Sequence, residues 1–323
     1  MRTLLRLLAA FALAFGAGHA AAQAYPVKPV RIVITFPPGG SSDLIGRLVA
    51  PQLADKFGQP FVIDNRGGGG GMIGAEHVAR AAPDGYTLLI AAGGGLTLGY
   101  AIHGPKMPYD PLKDFAPITL LVTSPMIVSV NPSQTPVNSI KELLAVIRAK
   151  PGIPFGSGGQ GTGMHLAGEY FRQLAGVDML HVPYKGNGPA LNDVMSGQVP
   201  MAFTDLGSAV RFIKSGRLRV LAVASATRSA TAPEIPTAAE SGLPGWESLG
   251  SFGLLAPAGT PAAVLQRLNA ETGTALRKPD IREKILATGN EPAPMTLEEY
   301  GKFLRNDYAR WVKVVKESGQ KFE

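Results

Sequence analysis

Ile32-Val33-Ile34-Thr35-Phe36-Pro37-Pro38-Gly39-Gly40-Ser41-Ser42-Asp43, running into Leu44-Ile45-Gly46-Arg47-Leu48-Val49, is the stretch that decides how the chain is read. The apolar, β-branched start predicts a buried strand. Pro-Pro-Gly-Gly forces an abrupt turn. Ser41, Ser42 and Asp43 are N-cap candidates for an amphipathic helix whose apolar positions Leu44, Ile45, Leu48 and Val49 follow a 3.6-residue period. Such a unit aims free backbone N–H groups and the positive end of a helix dipole at one spot, which makes an anion cradle. An ordinary β–α turn that uses glycine for its backbone freedom explains the same residues, and both readings stand.

Outward from this stretch, the chain of 323 residues is long enough for two domains with real cores. With 45% hydrophobic and 17% charged residues, it belongs with globular rather than disordered chains. Arg2 and Arg6, the apolar run Leu7 to Phe15 and the small residues Ala22-Gln23-Ala24 form a secretory signal pattern over residues 1–24, cut before Tyr25. The run is short for an uncleaved membrane anchor, which needs about 20 apolar residues. The expected location is therefore the periplasm. Cysteine is absent, which excludes disulfides and thiolate metal sites. The formal charge of +7 falls to +5 without Arg2 and Arg6. Its basic residues are scattered, so nucleic acid is not an expected partner, while a mild positive field favours small anions.

From Tyr25 strand and helix signals alternate. Phe61 to Asp64 reads as a strand, Gly67 to Gly71 as a loop, Met72 to Ala79 as a helix and Tyr86 to Ala91 as a strand, an order that implies a parallel sheet. Pro51 falls inside the first helix, where it predicts a kink or an early stop. Phe115 to Val130 reads as extended chain. A second α/β series then runs from the capping box Ser139/Glu142 to Ala224. A Pro-rich passage, the strand Phe252 to Ala256 and three helices close the chain. This pattern predicts a domain inserted into another: domain I over 25–125 and 227–323, domain II over 126–226, with a two-strand hinge and a ligand cleft between them.

Domain II repeats the opening device in Phe155-Gly156-Ser157-Gly158-Gly159-Gln160-Gly161-Thr162-Gly163, ahead of a helix bearing His165. One such loop is weak evidence for a ligand site; two, one per domain, are stronger. Gly69 to Gly74 and Gly156 to Gly161 also fit G-x-G-x-x-G, which raises an exported dinucleotide-dependent oxidoreductase. Against it, no acidic residue follows the first run at the expected spacing. No G-x-S-x-G surrounds Ser41 or Ser157, and the histidines lack metal-ligand spacing. His165 either donates to an anion or only packs and caps. Asp205, at the end of the strand Met201 to Phe203, either binds a ligand ammonium or hydroxyl or caps the following helix.

Tyr25-Pro26-Val27-Lys28-Pro29-Val30-Arg31, Phe36 to Gly40, Asn65-Arg66, Ala82-Pro83-Asp84-Gly85-Tyr86-Thr87, Pro108-Tyr109-Asp110-Pro111 and His181-Val182-Pro183-Tyr184-Lys185-Gly186 together resemble the Bug family. These are the periplasmic solute-binding receptors of tripartite tricarboxylate transporters. The likeness spans the chain from Tyr25 onward. It implies a two-domain α/β periplasmic binding protein (type II-like, a Venus flytrap) with mainly parallel sheets, closing over a small carboxylate. It implies a loop site at Pro38, Gly39, Gly40, Ser41, Ser42 and Asp43, a counterpart at Gly156, Ser157, Gly161, Thr162 and His165, and Phe36 as a cleft wall. Gly93, in Gly93-Gly94-Gly95, departs from the family's more varied loop and is expected at the ligand's distal end. The implied protein is no enzyme and needs no cofactor. Its partners are the membrane permease subunits, or a sensor protein in the alternative reading, and it acts as a monomer.

Overall fold

The computed structural model describes residues 25–318; the signal-peptide reading of residues 1–24 lies outside them. Strand β1 (Val30–Ile34) alternates its side chains between two cores. Val30, Ile32 and Ile34 pack under helix α1 (Ser41–Phe57) with Ile45, Val49 and Leu53, while Val33 faces Ala75 and Val78 of α2 (Met72–Ala79). Burial on both faces is why this strand reads as a continuous apolar run. Strands β2 (Phe61–Asn65) and β3 (Thr87–Ala92) flank β1 in parallel.

Helix α1 is capped differently from the expectation. Its N-cap is Gly40, which has no side chain to offer, and Ser41, Ser42 and Asp43 form the first turn. The side chains of Ser41 and Asp43 are committed elsewhere, as the site shows below. The helix runs through Pro51 to a left-handed Gly58 at φ 68°. The three-glycine region before α3 (Gly99–His103) is helical rather than a loop.

Strand β4 (Phe115–Val130) joins two sheets. Phe115 to Pro125 pair with β9 (Leu249–Pro257), and Met126 to Val130 pair with β7 (Met201–Asp205) and β8 (Arg219–Val223). Between them lie α4 (Ile140–Ala149), β5 (Ile153–Ser157), α5 (Gly163–Ala175), β6 (Met179–Pro183), α6 (Asn187–Ser196) and, after β7, α7 (Leu206–Lys214). The main strand order is β2-β1-β3-β9-β4-β7-β5-β6. Both flanks are parallel, and the strands that cross the middle, β4 and β9, run antiparallel to their neighbours. After β9 come α8 (Ala262–Arg277), α9 (Pro279–Ala287), the two-residue β10 (Glu291–Pro292) beside β4, and the long α10 (Leu297–Ser318).

Apolar side chains gather on either side of the β4 crossing, and we call the two bodies the first and second lobes. Ala232, Ile235, Ala238 and Leu243 of the Pro-rich return, which the sequence places in domain I, pack in the cores of the second lobe. Trp246 anchors this passage, with its ring edge-on to Phe171 and Phe203 at 5.3 and 5.7 Å. A buried indole needs an acceptor for its N–H, and the Ala167 carbonyl on α5 supplies it at 2.8 Å.

Candidate functional site

The β1–α1 loop lies against the second lobe. Pro38, Gly40, Ser41 and Ser42 line a small cavity with Gly186 to Pro189 at the start of α6 and with Asp205 and Ser208 at the start of α7. Three helix N-termini, one from the first lobe and two from the second, therefore converge there. The first N–H groups of a helix have no partner within it, and they carry its positive dipole end.

Asp205 sits at the centre of this junction, 1% exposed. Its Oδ1 accepts the Ser208 backbone N–H at 2.8 Å, which realises the N-cap reading. The same oxygen accepts the Ser41 hydroxyl from the opposite lobe. Oδ2 accepts the Asn187 amide and, at 3.1 Å, the Ser208 hydroxyl. Burial pushes the Asp205 pKa up, against the pull of the Ser41 and Ser208 hydrogen bonds. Both carboxylate oxygens are thus engaged in joining two helix starts and a cross-lobe serine. A second cross-lobe bond runs from the Ser41 N–H to the Ser208 hydroxyl at 3.3 Å.

Asp43 lies apart from the cavity. Its carboxylate is buried, yet hydrogen bonds from Arg47, the Gly39 N–H and Asn65 outweigh that burial and lower its pKa. Arg47 and Asn65 approach it at 3.0 and 3.1 Å. Asp43 braces the turn in which Gly39 takes φ +94°.

The β5–α5 loop has a different fate. Gly156 is a packing position, where a Cβ would lie 3.1 Å from Tyr184 Cε2. The Ser157 hydroxyl, fully buried, meets His181 Nε2 at 2.6 Å. His165 stacks on His181 with ring centres 3.8 Å apart, and its Nδ1 accepts the Gly161 N–H at 3.2 Å. Burial, then the charge of Arg172, lowers the His165 pKa to about 4. Burial and neighbouring His165 lower His181 to about 3. Gly161 takes a left-handed φ of +67° at the turn. Of the five residues expected here, Thr162 lines one of the two cavities described in this section, and its hydroxyl also accepts the His165 N–H and caps α5.

That second cavity adjoins the first, sharing Phe36, Met164 and Phe252 with it. Phe36 thus lines both cavities. Gly93 lines neither: a side chain there would strike Ser251, while its neighbours Ala92 and Gly95 reach the second. Met126, Ser251, Asp307, Arg310 and Trp311 also line it, and sequence reasoning missed them all. Helical period signals α10, but nothing in the period says that Asp307, Arg310 and Trp311 reach the cleft.

Both G-x-G-x-x-G runs serve close approach. A Cβ at Gly70 would lie 2.9 Å from the Gln160 carbonyl, so the two runs pack backbone on backbone. Among the described residues no group of three or more acidic, histidine or cysteine side chains is placed to hold a metal ion.

Residues 45–320 match the model of the tripartite tricarboxylate transporter family receptor. The chain belongs to that receptor family. Protein BugT of Bordetella pertussis is 35% identical over 326 residues, spanning 100% of this chain and 99% of BugT. Among solved structures, the R. palustris protein Rpa4515 with adipate superposes with a TM-score of 0.88 at 34% identity, covering 91% of this chain and 98% of its own. MatC from Rhodopseudomonas palustris with bound malate gives 0.83 at 32% identity, covering 90% and 100%. The receptor has the two-domain α/β fold of periplasmic binding proteins, and its family is one of binding proteins. The Bug-family resemblance read from Tyr25-Pro26, the Phe36 loop and His181 to Gly186 is thereby established.

Proposed function

We propose that this receptor captures a small organic carboxylate between its lobes in the periplasm and presents it, as a monomer, to the membrane subunits of a transporter. The carrying observation is the convergence of the α1, α6 and α7 N-termini on one cavity. Partial positive charge from two lobes at one point favours a carboxylate and rewards closure. Pro38, Gly40, Ser41, Ser42 and Asn187 are the residues assigned to the anion. Asp205 acts through them by fixing Ser41 and Asn187, and Asp43 by holding the turn. The malate and adipate bound by relatives belong to the same ligand class. Each cavity has a free volume of ≈ 20 Å³. That is room for about one water, so solute entry requires the lobes to part, with β4 near Pro125 and the return near Ser248 as the hinge. The chain is processed before Tyr25 on export and catalyses no reaction on its solute.

A thermal-shift screen of carboxylates tests this reading. A ligand at 100 times its Kd stabilises the folded receptor by about 2.7 kcal/mol. At least one small carboxylate is expected to raise the melting midpoint, with its alcohol or amide analogue inert. A screen in which neutral analogues stabilise equally would remove the anion site.

A further inference from the structure

We infer that Arg211, with Lys214 and Arg217 beside it, recruits anionic solutes: the three form a cationic rim on the second lobe, next to the cavity but outside it, that speeds association. The inference rests on the proposed anion site and adds the residues that feed it. Basic residues are scattered over the chain as a whole, yet from Leu206 to Pro233 it carries five of them and no acid. Two of the five are occupied. Arg228 pairs with Glu240, and Arg219 donates to the Val137 carbonyl. Arg211, Lys214 and Arg217 are exposed, and among the described residues their side chains have no hydrogen-bond or ion-pair partner. The Phe212 ring gathers two of them, with the Arg211 and Arg217 guanidinium groups 4.5 and 5.7 Å from its centre.

Helix α7 carries the rim to the site. Asp205 caps the helix and Ser208 lines the cavity; Arg211 follows three residues later, on the neighbouring turn of the same face. From there it reaches the first lobe: a Cβ at Gly39 would lie 3.6 and 4.0 Å from its Nη2 and Nη1. The missing side chain at Gly39 is what lets the guanidinium lie against the turn. Pro38 and Gly40, on either side of Gly39, line the cavity, whereas Gly39 and Arg211 do not. Arg211 thus stands at the edge of the cavity, where the two lobes meet. The charged group on the cavity wall is an acid, Asp205. Helix N-termini act over about one turn, while an exposed charge acts out to a Debye length of about 8 Å at physiological ionic strength. An approaching anion therefore meets the rim before it meets the helix starts. Rim charges change association rates and their salt dependence more than dissociation.

The test is stopped-flow binding of malate and adipate to the receptor, read by tryptophan fluorescence, since Trp311 lines the neighbouring cavity. Arg211→Gln is expected to slow association by about threefold at low salt, and Arg211→Gln/Lys214→Gln/Arg217→Gln by about tenfold. Both deficits should shrink below about twofold in 1 M NaCl, where the Debye length is about 3 Å. Dissociation rates and melting midpoints should stay close to wild type, and Arg211→Lys should restore association. Lys150→Gln is the control. It removes one exposed cation ahead of β5, at the opposite end of the parallel strands β5 and β7 from Asp205, and should leave association unchanged. A wild-type association rate in the triple variant, or a deficit in Arg211→Gln matched by Lys150→Gln, would overturn the inference and leave the anion site intact. A loss confined to dissociation would also overturn it, by making Arg211 part of the wall. Binding of neither probe to the wild type would instead remove the anion site itself, and the rim's role with it.

Discussion

Two glycine loops, Phe36 to Asp43 in the first lobe and Gly156 to Thr162 in the second, look alike in the sequence and do different work. In the first, Pro38, Gly40, Ser41 and Ser42 face the other lobe and line a cavity. In the second, Ser157 and His165 turn inward to His181 and Gly161, while Gln160 packs on Gly70 of the first lobe and Thr162 lines the neighbouring cavity. What answers the first loop across the cleft is a pair of helix starts, at Asn187 and at Asp205 to Ser208. A glycine-rich strand–helix turn therefore specifies a backbone shape and not a role. The role depends on which side chains the tertiary fold brings to it.

Gly207 offers the strongest way to break this contrast. A side chain there would collide with the Ser41 hydroxyl and the Asn290 amide from the first lobe. Overpacking a close contact costs about 1–3 kcal/mol, so Gly207→Val should weaken carboxylate binding by about 5- to 150-fold. Because the collision is with contacts this structure already makes, the melting midpoint should fall as well, and solution scattering should show no compaction on ligand addition. Wild-type affinity in this variant would mean that the α7 start is not the partner of the first loop.

The second contrast is one of acid sensitivity. His165 and His181 are held neutral inside the second lobe, with pKa values of about 4 and about 3 against 6.5 for a free imidazole. The unfolded chain therefore binds more protons than the folded one as pH falls below 6.5. The stability they contribute is complete above that pH and is lost progressively toward pH 4. For buried His165 the loss is on the order of 2 kcal/mol. Thermal melts between pH 7 and 4.5 should show the decline, and His165→Gln should flatten it. A pH-independent midpoint would show the pair to be solvated rather than part of a brace.

The smallest effect separates the loops directly. Gly161 sits at φ +67°, where a side chain strains the backbone by about 1–2 kcal/mol, and it does not line either of the two cavities described above. Gly40 is at φ −87° and faces the Ser208 hydroxyl across the cleft, 3.8 Å from where its Cβ would lie. Gly161→Val should lower the melting temperature and keep binding, whereas Gly40→Val should keep the melting temperature and lose binding. Calorimetry beside circular dichroism checks both, and the reverse pattern would exchange the two roles.

Much of the fold was legible because it rests on local rules. The β-branched run of β1, the Ser139/Glu142 cap and the terminating Gly176 and Gly197 act within a few residues of themselves. Local signals also located the first loop and offered Asp205 as either a ligand residue or an N-cap, of which the structure shows the cap. Tertiary structure alone decided the rest. Trp246 joins the second lobe because its buried indole finds Ala167, 79 residues away. Asp205 bridges the lobes because Ser41, 164 residues earlier, arrives beside it. Asp307, Arg310 and Trp311 face the cleft because α10 returns from the far end of the chain to pack beside β4 and α3. Periodicity tells a helix which face is apolar, but a polar residue at its edge takes its meaning from whatever the fold sets opposite, and that distance is not written in the spacing.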